Sequence, residues 1–243
     1  IDRGIPSGPD GKPLSQANDL VMADPDLNKS EFESLSFRAM LQHSFSDTLK
    51  GIFNVSYTDY DKMYQNFYVS DFLDPTNPNN LTAGVVDPNR VESDGYRDTT
   101  ERQNLVLSGN LVAEFETNDF KHTVLFGAEF MDSSSENDRF NPEFPTVGGG
   151  TDDNASFLVT ERNIPGVGFN AGGLSAGPFT NLNDDTSTDL TVFSLYVQDE
   201  VELSDQLTVV LGARFDSFDI DVTDNKTPAK SGSQKDEEFT PRA

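Results

Sequence analysis

Ser34-Leu35-Ser36-Phe37-Arg38-Ala39-Met40-Leu41-Gln42-His43-Ser44-Phe45-Ser46-Asp47-Thr48-Leu49-Lys50-Gly51-Ile52-Phe53-Asn54-Val55-Ser56-Tyr57-Thr58 has a hydropathy that repeats every second residue. Leu35, Phe37, Ala39, Leu41, His43 and Phe45 fall on one side of an extended chain. Ser34, Ser36, Arg38, Met40, Gln42 and Ser44 fall on the other. After Ser46-Asp47-Thr48 the alternation resumes, with Leu49, Gly51, Phe53, Val55 and Tyr57 set against Lys50, Ile52, Asn54, Ser56 and Thr58. Successive side chains of a strand point to opposite faces, so the stretch predicts a hairpin closed by a tight turn.

The same unit occurs twice more. Leu105, Leu107, Gly109, Leu111, Ala113 and Phe115 form one apolar face, followed across Glu116–Asp119 by His122, Val124, Phe126, Ala128 and Phe130. Phe193, Leu195, Val197, Val201 and Leu203 are followed across Ser204-Asp205-Gln206 by Leu207, Val209, Leu211, Ala213 and Phe215. Asp199 interrupts the third apolar face, which makes the register there the least constrained.

Between these hairpins the connections are long and rich in Gly, Pro, Asn and Asp, as in Asp74-Pro75-Thr76-Asn77-Pro78 and Gly148-Gly149-Gly150. Strands are expected near 33–45, 49–60, 102–115, 121–132, 189–203, 207–221 and 238–243, with long loops at 70–100, 132–188 and 222–237. Structureless connections beyond about 15 residues are uncommon in compact soluble domains. Short turns alternating with long loops are the construction of an outer-membrane barrel, and about ten alternating residues suffice to cross the bilayer at a tilt. A soluble antiparallel sandwich or solenoid also alternates. The alternation of loop lengths favours the barrel, as do aromatic residues near strand ends (Phe45, Tyr57, Tyr60, Phe115, Phe120, Phe130, Phe215, Phe218) where interfacial girdles belong.

Composition agrees. The 243 residues include no Cys and no Trp, and carry 42 Asp and Glu against 17 Lys and Arg, a formal net charge of −25. That balance argues against nucleic acid as a partner, because phosphates demand Lys and Arg. Without Cys there is no disulfide, thiol nucleophile or thiolate metal site. No stretch approaches the roughly 18 apolar residues of a spanning helix. A mean hydropathy of −0.52 would suit a soluble protein. It equally suits a barrel, whose lumen side and loops are polar. The chain opens at Ile1 with neither initiator Met nor signal peptide and stops at Ala243 inside an expected strand, so both ends are expected to be cut.

Several segments resemble the TonB-dependent siderophore receptor family. They are Asp2-Arg3-Gly4-Ile5-Pro6-Ser7 with Gly11-Lys12-Pro13, Tyr60-Asp61-Lys62-Met63-Tyr64-Gln65-Asn66, and Lys121-His122-Thr123-Val124-Leu125-Phe126-Gly127-Ala128-Glu129-Phe130. To these are added Ser194-Leu195-Tyr196-Val197-Gln198-Asp199, and Leu211-Gly212-Ala213-Arg214-Phe215-Asp216 with Phe239-Thr240-Pro241-Arg242-Ala243. Five such segments in order, over roughly residues 1–243, carry the resemblance. It implies an all-β chain forming part of a transmembrane antiparallel β-barrel with long extracellular loops, about six or seven strands of a barrel of about 22 around a plug. It further implies TonB-dependent uptake of ferric siderophores across the outer membrane, powered by the TonB-ExbB-ExbD complex through a plug that this chain lacks. Outer-membrane lipid and lipopolysaccharide would surround the barrel. A passive porin-like or adhesin barrel, and a secreted acidic β-protein binding calcium or polysaccharide, are the alternatives.

No constellation for catalysis, cofactor or metal is visible, and the expectation is a protein that is not an enzyme. His43 and His122 lie on apparent lipid-side faces near short turns. Gly148–Gly150 lacks the strand, helix and Lys of a phosphate loop. Asp216, Asp219, Asp221 and Asp224 recur at a spacing that suggests calcium, but the Gly and terminal Glu of a calcium loop are missing, which favours a solvated strand end. For a bulky, often aromatic and anionic iron chelate, the candidate contacts are Tyr60, Tyr64, Phe67, Tyr68, Arg97 and Arg139, with Arg90 and Arg162 also in loops. The alternative is an outer aromatic girdle for the tyrosines and loop carboxylates as partners for the arginines. Arg38, Gln42, Asn54, Asn110, Glu129, Gln198 and Arg214 would line the lumen, with Arg38 and Arg214 paired to plug or neighbouring-strand carboxylates.

Overall fold

In the computed structural model the described residues are 12, 28–72, 90–118, 120–145, 151–153, 155–158 and 179–242. They form strands β1 (Lys29–Ser44), β2 (Leu49–Phe72), β3 (Arg90–Thr117), β4 (Phe120–Pro142), β5 (Phe144–Pro145), β6 (Thr151–Asp152), β7 (Ala155–Leu158), β8 (Phe179–Ser204), β9 (Leu207–Asp224) and β10 (Gly232–Arg242). Seven of them make one up-and-down sheet in the order β1-β2-β3-β4-β8-β9-β10. The short β7 pairs with β3, and β5 pairs with β6 separately. The all-β reading therefore holds.

Local chemistry closes the hairpins. Phe45 N and Ser46 N both donate to Leu49 O, and Thr48 N donates to Ser46 Oγ. Asn118 takes φ 56°, a left-handed conformation that Asn tolerates better than most residues, so the second turn is tighter than Glu116–Asp119 suggests. Gln206 N donates to Ser204 Oγ in the third. Serine side chains thus stand in for backbone partners at the first and third reversals.

The apolar alternation is turned outward. Among the described residues, Phe179 is the one large apolar side chain that is buried, while Leu107, Phe126, Leu195, Val197 and Leu211 are exposed and Leu41 is 63% exposed. The buried polar side chains are Gln65, Asn66, Ser135, Ser194 and Asp224. A water-soluble sandwich buries its apolar faces against each other, and this sheet does the reverse, as a sheet solvated by lipid must.

The strands are longer than the apolar pattern predicts. β2, β3 and β8 run for 24, 28 and 26 residues. The loops expected at 70–100 and 132–188 are largely strand at their margins: β3 begins at Arg90, β4 ends at Pro142 and β8 begins at Phe179. The loop expected at 222–237 shrinks to residues 225–231 between β9 and β10. Beyond the bilayer both faces are wet, so strand pairing continues without apolar alternation and leaves no such signal in the sequence. The Gly148–Gly150 run and Arg162 lie outside the described residues.

Asp224 organises the β9–β10 connection. Its Oδ1 accepts the backbone N–H of Lys226 at 3.0 Å and of Thr227 at 2.6 Å, and its own N–H donates to Ser231 Oγ. Asp224→Ala is expected to cost about 1 kcal/mol through these lost acceptor bonds. Hydrogen exchange should quicken at the Lys226 and Thr227 amides while exchange in β1 is unchanged.

The chain divides into two compact units. One comprises Glu33–Asp61, Thr100–Glu136 and Thr186–Ala243; it carries the apolar faces and the three tight turns. The other comprises Ile1–Phe32, Lys62–Thr99 and Asn137–Asp185, and is polar.

Candidate functional site

In the apolar-faced unit the opposite face of the sheet carries a connected polar network. Arg214 on β9 donates from NH2 to Glu129 on β4 and to Ser194 on β8, at 3.0 and 2.9 Å, and from Nε to Asp216 at 2.9 Å. Its guanidinium lies 5.2 Å from the Tyr196 ring, whose hydroxyl donates to Asn110 at 2.7 Å. Asn54 donates to Ser108, and Arg242 to Gln198. Arg214 thus finds its carboxylates on its own strand and on β4, reaching across the intervening β8. Asp216 is tied into this network, Asp219 lies 3.9 Å from Lys235, and Asp224 caps a turn. Three of the four aspartates that suggested calcium are therefore spread over separate tasks. Among the described residues no three His, Asp or Glu side chains converge for a metal ion.

The outward face explains Asp199. The β8–β9 register runs Val197↔Ala213, Asp199↔Leu211 and Val201↔Val209, so the alternation continues through it. Asp199 meets His122 across the sheet at 2.8 Å, and Phe115 stacks on the imidazole with centroids 5.0 Å apart. The two polar interruptions of two apolar faces thus pair with each other through Asp199 Oδ2, while Asp199 Oδ1 is buried without a hydrogen-bond partner. A cleft of about 290 Å³ in the same unit is lined by Glu33, Ser34, Leu35, Asp59, Tyr60 and Asp61. Tyr60 belongs here, with the Arg102 guanidinium 5.9 Å from its ring.

Among its described residues the polar unit holds a cluster of aromatic and charged side chains. Tyr64 and Tyr68 on β2 are four residues apart, which places them on one face of the strand. Both reach Tyr96 on β3, at centroid distances of 5.8 and 6.3 Å. Arg139 on β4 lies 4.6 Å from the Tyr96 ring and grips Asp98 with two hydrogen bonds, Nε to Oδ1 at 2.7 Å and NH2 to Oδ2 at 2.8 Å. The Tyr68 hydroxyl donates to Asp94 at 3.0 Å. Asp94, Tyr96 and Asp98 alternate along β3 and so share the face that Arg139 meets.

Two-point pairing fixes the guanidinium plane, and that plane in turn fixes the ring beneath it. The hydrogen bond to Asp98 raises the Arg139 pKa above its ordinary value. Desolvation opposes this, and the charges of Asp98, Tyr96 and Asp184 add to it. Arg139 therefore stays charged at every physiological pH. Arg97 sits between Tyr96 and Asp98 and projects from the opposite face, with its guanidinium 4.9 Å from the Phe140 ring.

Of the residues selected from sequence, the fold brings together Tyr64, Tyr68 and Arg139. Arg97 is on the other face and Tyr60 in the other unit. Phe67 and Arg90 have their backbones in β2 and β3, and their side chains lie outside the described residues. Tyr96, Asp94 and Asp98 escaped the sequence reading because 70–100 passed for loop. Had β3 been extended to Arg90, their common parity would have exposed them. The cluster presents ring faces, phenol oxygens and carboxylates without a paired nucleophile and base. Its chemistry is recognition.

The architecture has relatives. The FpvA receptor of P. aeruginosa, in complex with a pyoverdine and iron, superposes with a TM-score of 0.67 at 14% identity, covering 98% of this chain and 27% of the receptor. The closed form of the ferric-catecholate import receptor Fiu from E. coli K12 gives 0.62 at 14% identity over 100% of this chain and 35% of Fiu. The siderophore receptor PiuA of Acinetobacter baumannii gives 0.61 at 17% identity over 99% of this chain and 34% of PiuA. The chain thus spans roughly a third or less of the length of these receptors. Residues 2–243 match the family described as TonB dependent receptor-like, beta-barrel. With outward apolar faces, a polar inner network and a family match along nearly all of its length, the chain belongs to the TonB-dependent receptor β-barrel family and forms part of a bacterial outer-membrane barrel.

Proposed function

We propose that this sheet is part of a receptor that takes up ferric siderophores in a TonB-dependent manner, and that the Tyr64–Tyr68–Tyr96 cluster with Arg139 contacts the chelate. The cluster is the observation that carries the reading. Three tyrosine rings and a guanidinium held at fixed angles offer flat, pre-ordered surface at low conformational cost, which suits a bulky rigid ligand. Family membership supports the coupling to TonB with ExbB and ExbD. The solved relatives named as receptors for ferric catecholate, ferric citrate and iron-loaded pyoverdine support iron chelates as cargo. The outward apolar faces suit outer-membrane lipid and lipopolysaccharide as surroundings.

The test uses cells whose sole iron-uptake receptor is the intact protein containing this sheet. Uptake of radiolabelled iron from a panel of hydroxamate and catecholate chelates is expected for at least one of them, and to vanish when TonB is deleted. Tyr96→Ala should weaken binding about tenfold, as expected where an aromatic contact contributes about 1.5 kcal/mol. Uptake that survives TonB deletion, or binding indifferent to Tyr96→Ala for every chelate, would overturn the proposal.

A further inference from the structure

We infer that the cluster of Tyr64, Tyr68 and Tyr96 takes a neutral or cationic iron chelate and discriminates against anionic ones. The inference rests on the reading of this cluster as a siderophore contact and adds the charge of the ligand. Arg139 is the guanidinium of the site, and its Nε–NH2 edge is taken by Asp98, at 2.7 and 2.8 Å, so that its charge is already balanced by a carboxylate. An incoming carboxylate or catecholate oxygen therefore meets an ion pair of no net charge, and it could engage the Nε–NH2 edge only by displacing Asp98. The face of Arg139 is also taken, lying 4.6 Å from the Tyr96 ring. Tyr68 directs its hydroxyl proton to Asp94 and not toward an anionic ligand.

The surrounding charges have the same sign. Asp94, Asp98 and Asp184 stand against Arg139 and the exposed Lys62, so carboxylates prevail in the unit's described face. Arg97 does not redress the balance, since it projects from the other face of β3 against Phe140. The connecting stretches add no positive charge. Residues 73–89 hold Asp74 and Asp87 with no Lys or Arg, and in residues 159–178 Glu161 and Arg162 cancel. The whole chain carries −25. Potentials of one sign sum over distances near the Debye length, about 8 Å in physiological salt, and tyrosine faces attract cations. The relatives are named for chemically different iron chelates, so the fold does not choose the ligand. The residues must.

The experiment takes whichever chelate core the intact receptor transports in the uptake assay above and attaches three pendant groups: a free amine, its acetyl amide and its succinyl half-amide. The three probes then differ by single charges around one core. Wild-type receptor in detergent is expected to bind the amine probe about tenfold more tightly than the succinyl probe at low salt, with the gap closing as salt is added. Asp98→Asn, which is isosteric and frees the Arg139 fork, should shift the preference toward the succinyl probe. Asp94→Asn should shift it in the same direction, and serves if Asp98→Asn disturbs folding. Equal or tighter binding of the succinyl probe by the wild type would overturn the inference, as would a ratio unmoved by both variants. In either of those outcomes Tyr96→Ala would still weaken all three probes. If Tyr96→Ala weakens none of them, the proposed contact itself fails.

Discussion

Gly127→Ala is expected to destabilise the barrel by about 2–3 kcal/mol, the cost of forcing a methyl group into a filled space. Where a strand leaves open space for a β-carbon the same substitution is neutral or mildly stabilising, because Gly surrenders more backbone entropy on folding than any other residue. Gly127 differs because the Tyr196 ring of the adjacent strand presses against it. A β-carbon there would overlap the ring edge and sit 2.6 Å from the phenol oxygen. The ring has no easy retreat. Its hydroxyl is bonded to Asn110, and Arg214 lies over it. Arg214 is held in turn by Glu129, Asp216 and Ser194, the last of which is 1% exposed. A shift of the ring therefore loosens a network that joins β3, β4, β8 and β9.

The control is Gly232→Ala on β10, where a β-carbon would meet nothing within 4 Å. It should stabilise by roughly 0.5 kcal/mol or leave stability unchanged. Denaturant unfolding of the intact receptor in detergent, read by the gel-mobility difference between folded and unfolded barrel, separates the two. Adding Tyr196→Ala to Gly127→Ala should recover part of the loss, because the space the ring vacates admits the methyl group. Equal midpoints for the two glycine variants would show that the ring moves freely and that the network does not restrain it.

What the sequence revealed follows from where physics writes a pattern. Inside the bilayer one face must be apolar and the other need not be, so Leu35 to Phe45 and Leu49 to Tyr57 announce themselves as strands. Asp199 looked like a fault in that pattern because its partner is 77 positions away in sequence: His122 is on another strand, and no local rule connects them. The β9–β10 connection was overestimated for a similar reason. Asp224, Lys226 and Thr227 form a turn through side-chain-to-backbone bonds that leave no hydropathic trace. The candidate site suffered most. Beyond the bilayer, strand pairing is held by backbone hydrogen bonds whose donors and acceptors every residue but Pro supplies, so Asp94, Tyr96 and Asp98 carried no periodic signal. Arg139 was selected from sequence as a donor to an anion. Only the three-dimensional arrangement shows that Asp98 already occupies it.

Phe126→Arg tests the direction in which the sheet faces, and should cost about 2–4 kcal/mol, the depth-dependent cost of a cation at the middle of the lipid face of a barrel. Phe126 is 51% exposed on β4, between Val124 and Ala128 on the same face. It lies midway along the apolar series from Phe120 to Phe130, about the number of residues that cross the hydrocarbon layer. A guanidinium there finds neither water nor a carboxylate within easy reach, since Asp199 is already engaged by His122 nearer the turn. Thr58→Arg on β2 adds the same charge to the face that carries Asn54, where water and carboxylates are at hand, and should change stability by less than about 1 kcal/mol. The contrast is the decisive quantity. A soluble sheet with Phe126 facing water would gain from Phe126→Arg, because an exposed ring would be replaced by a solvated charge. A loss in detergent or lipid for Phe126→Arg with none for Thr58→Arg requires hydrocarbon on one face and water on the other. Equal effects from the two substitutions would remove the membrane orientation on which the uptake proposal depends.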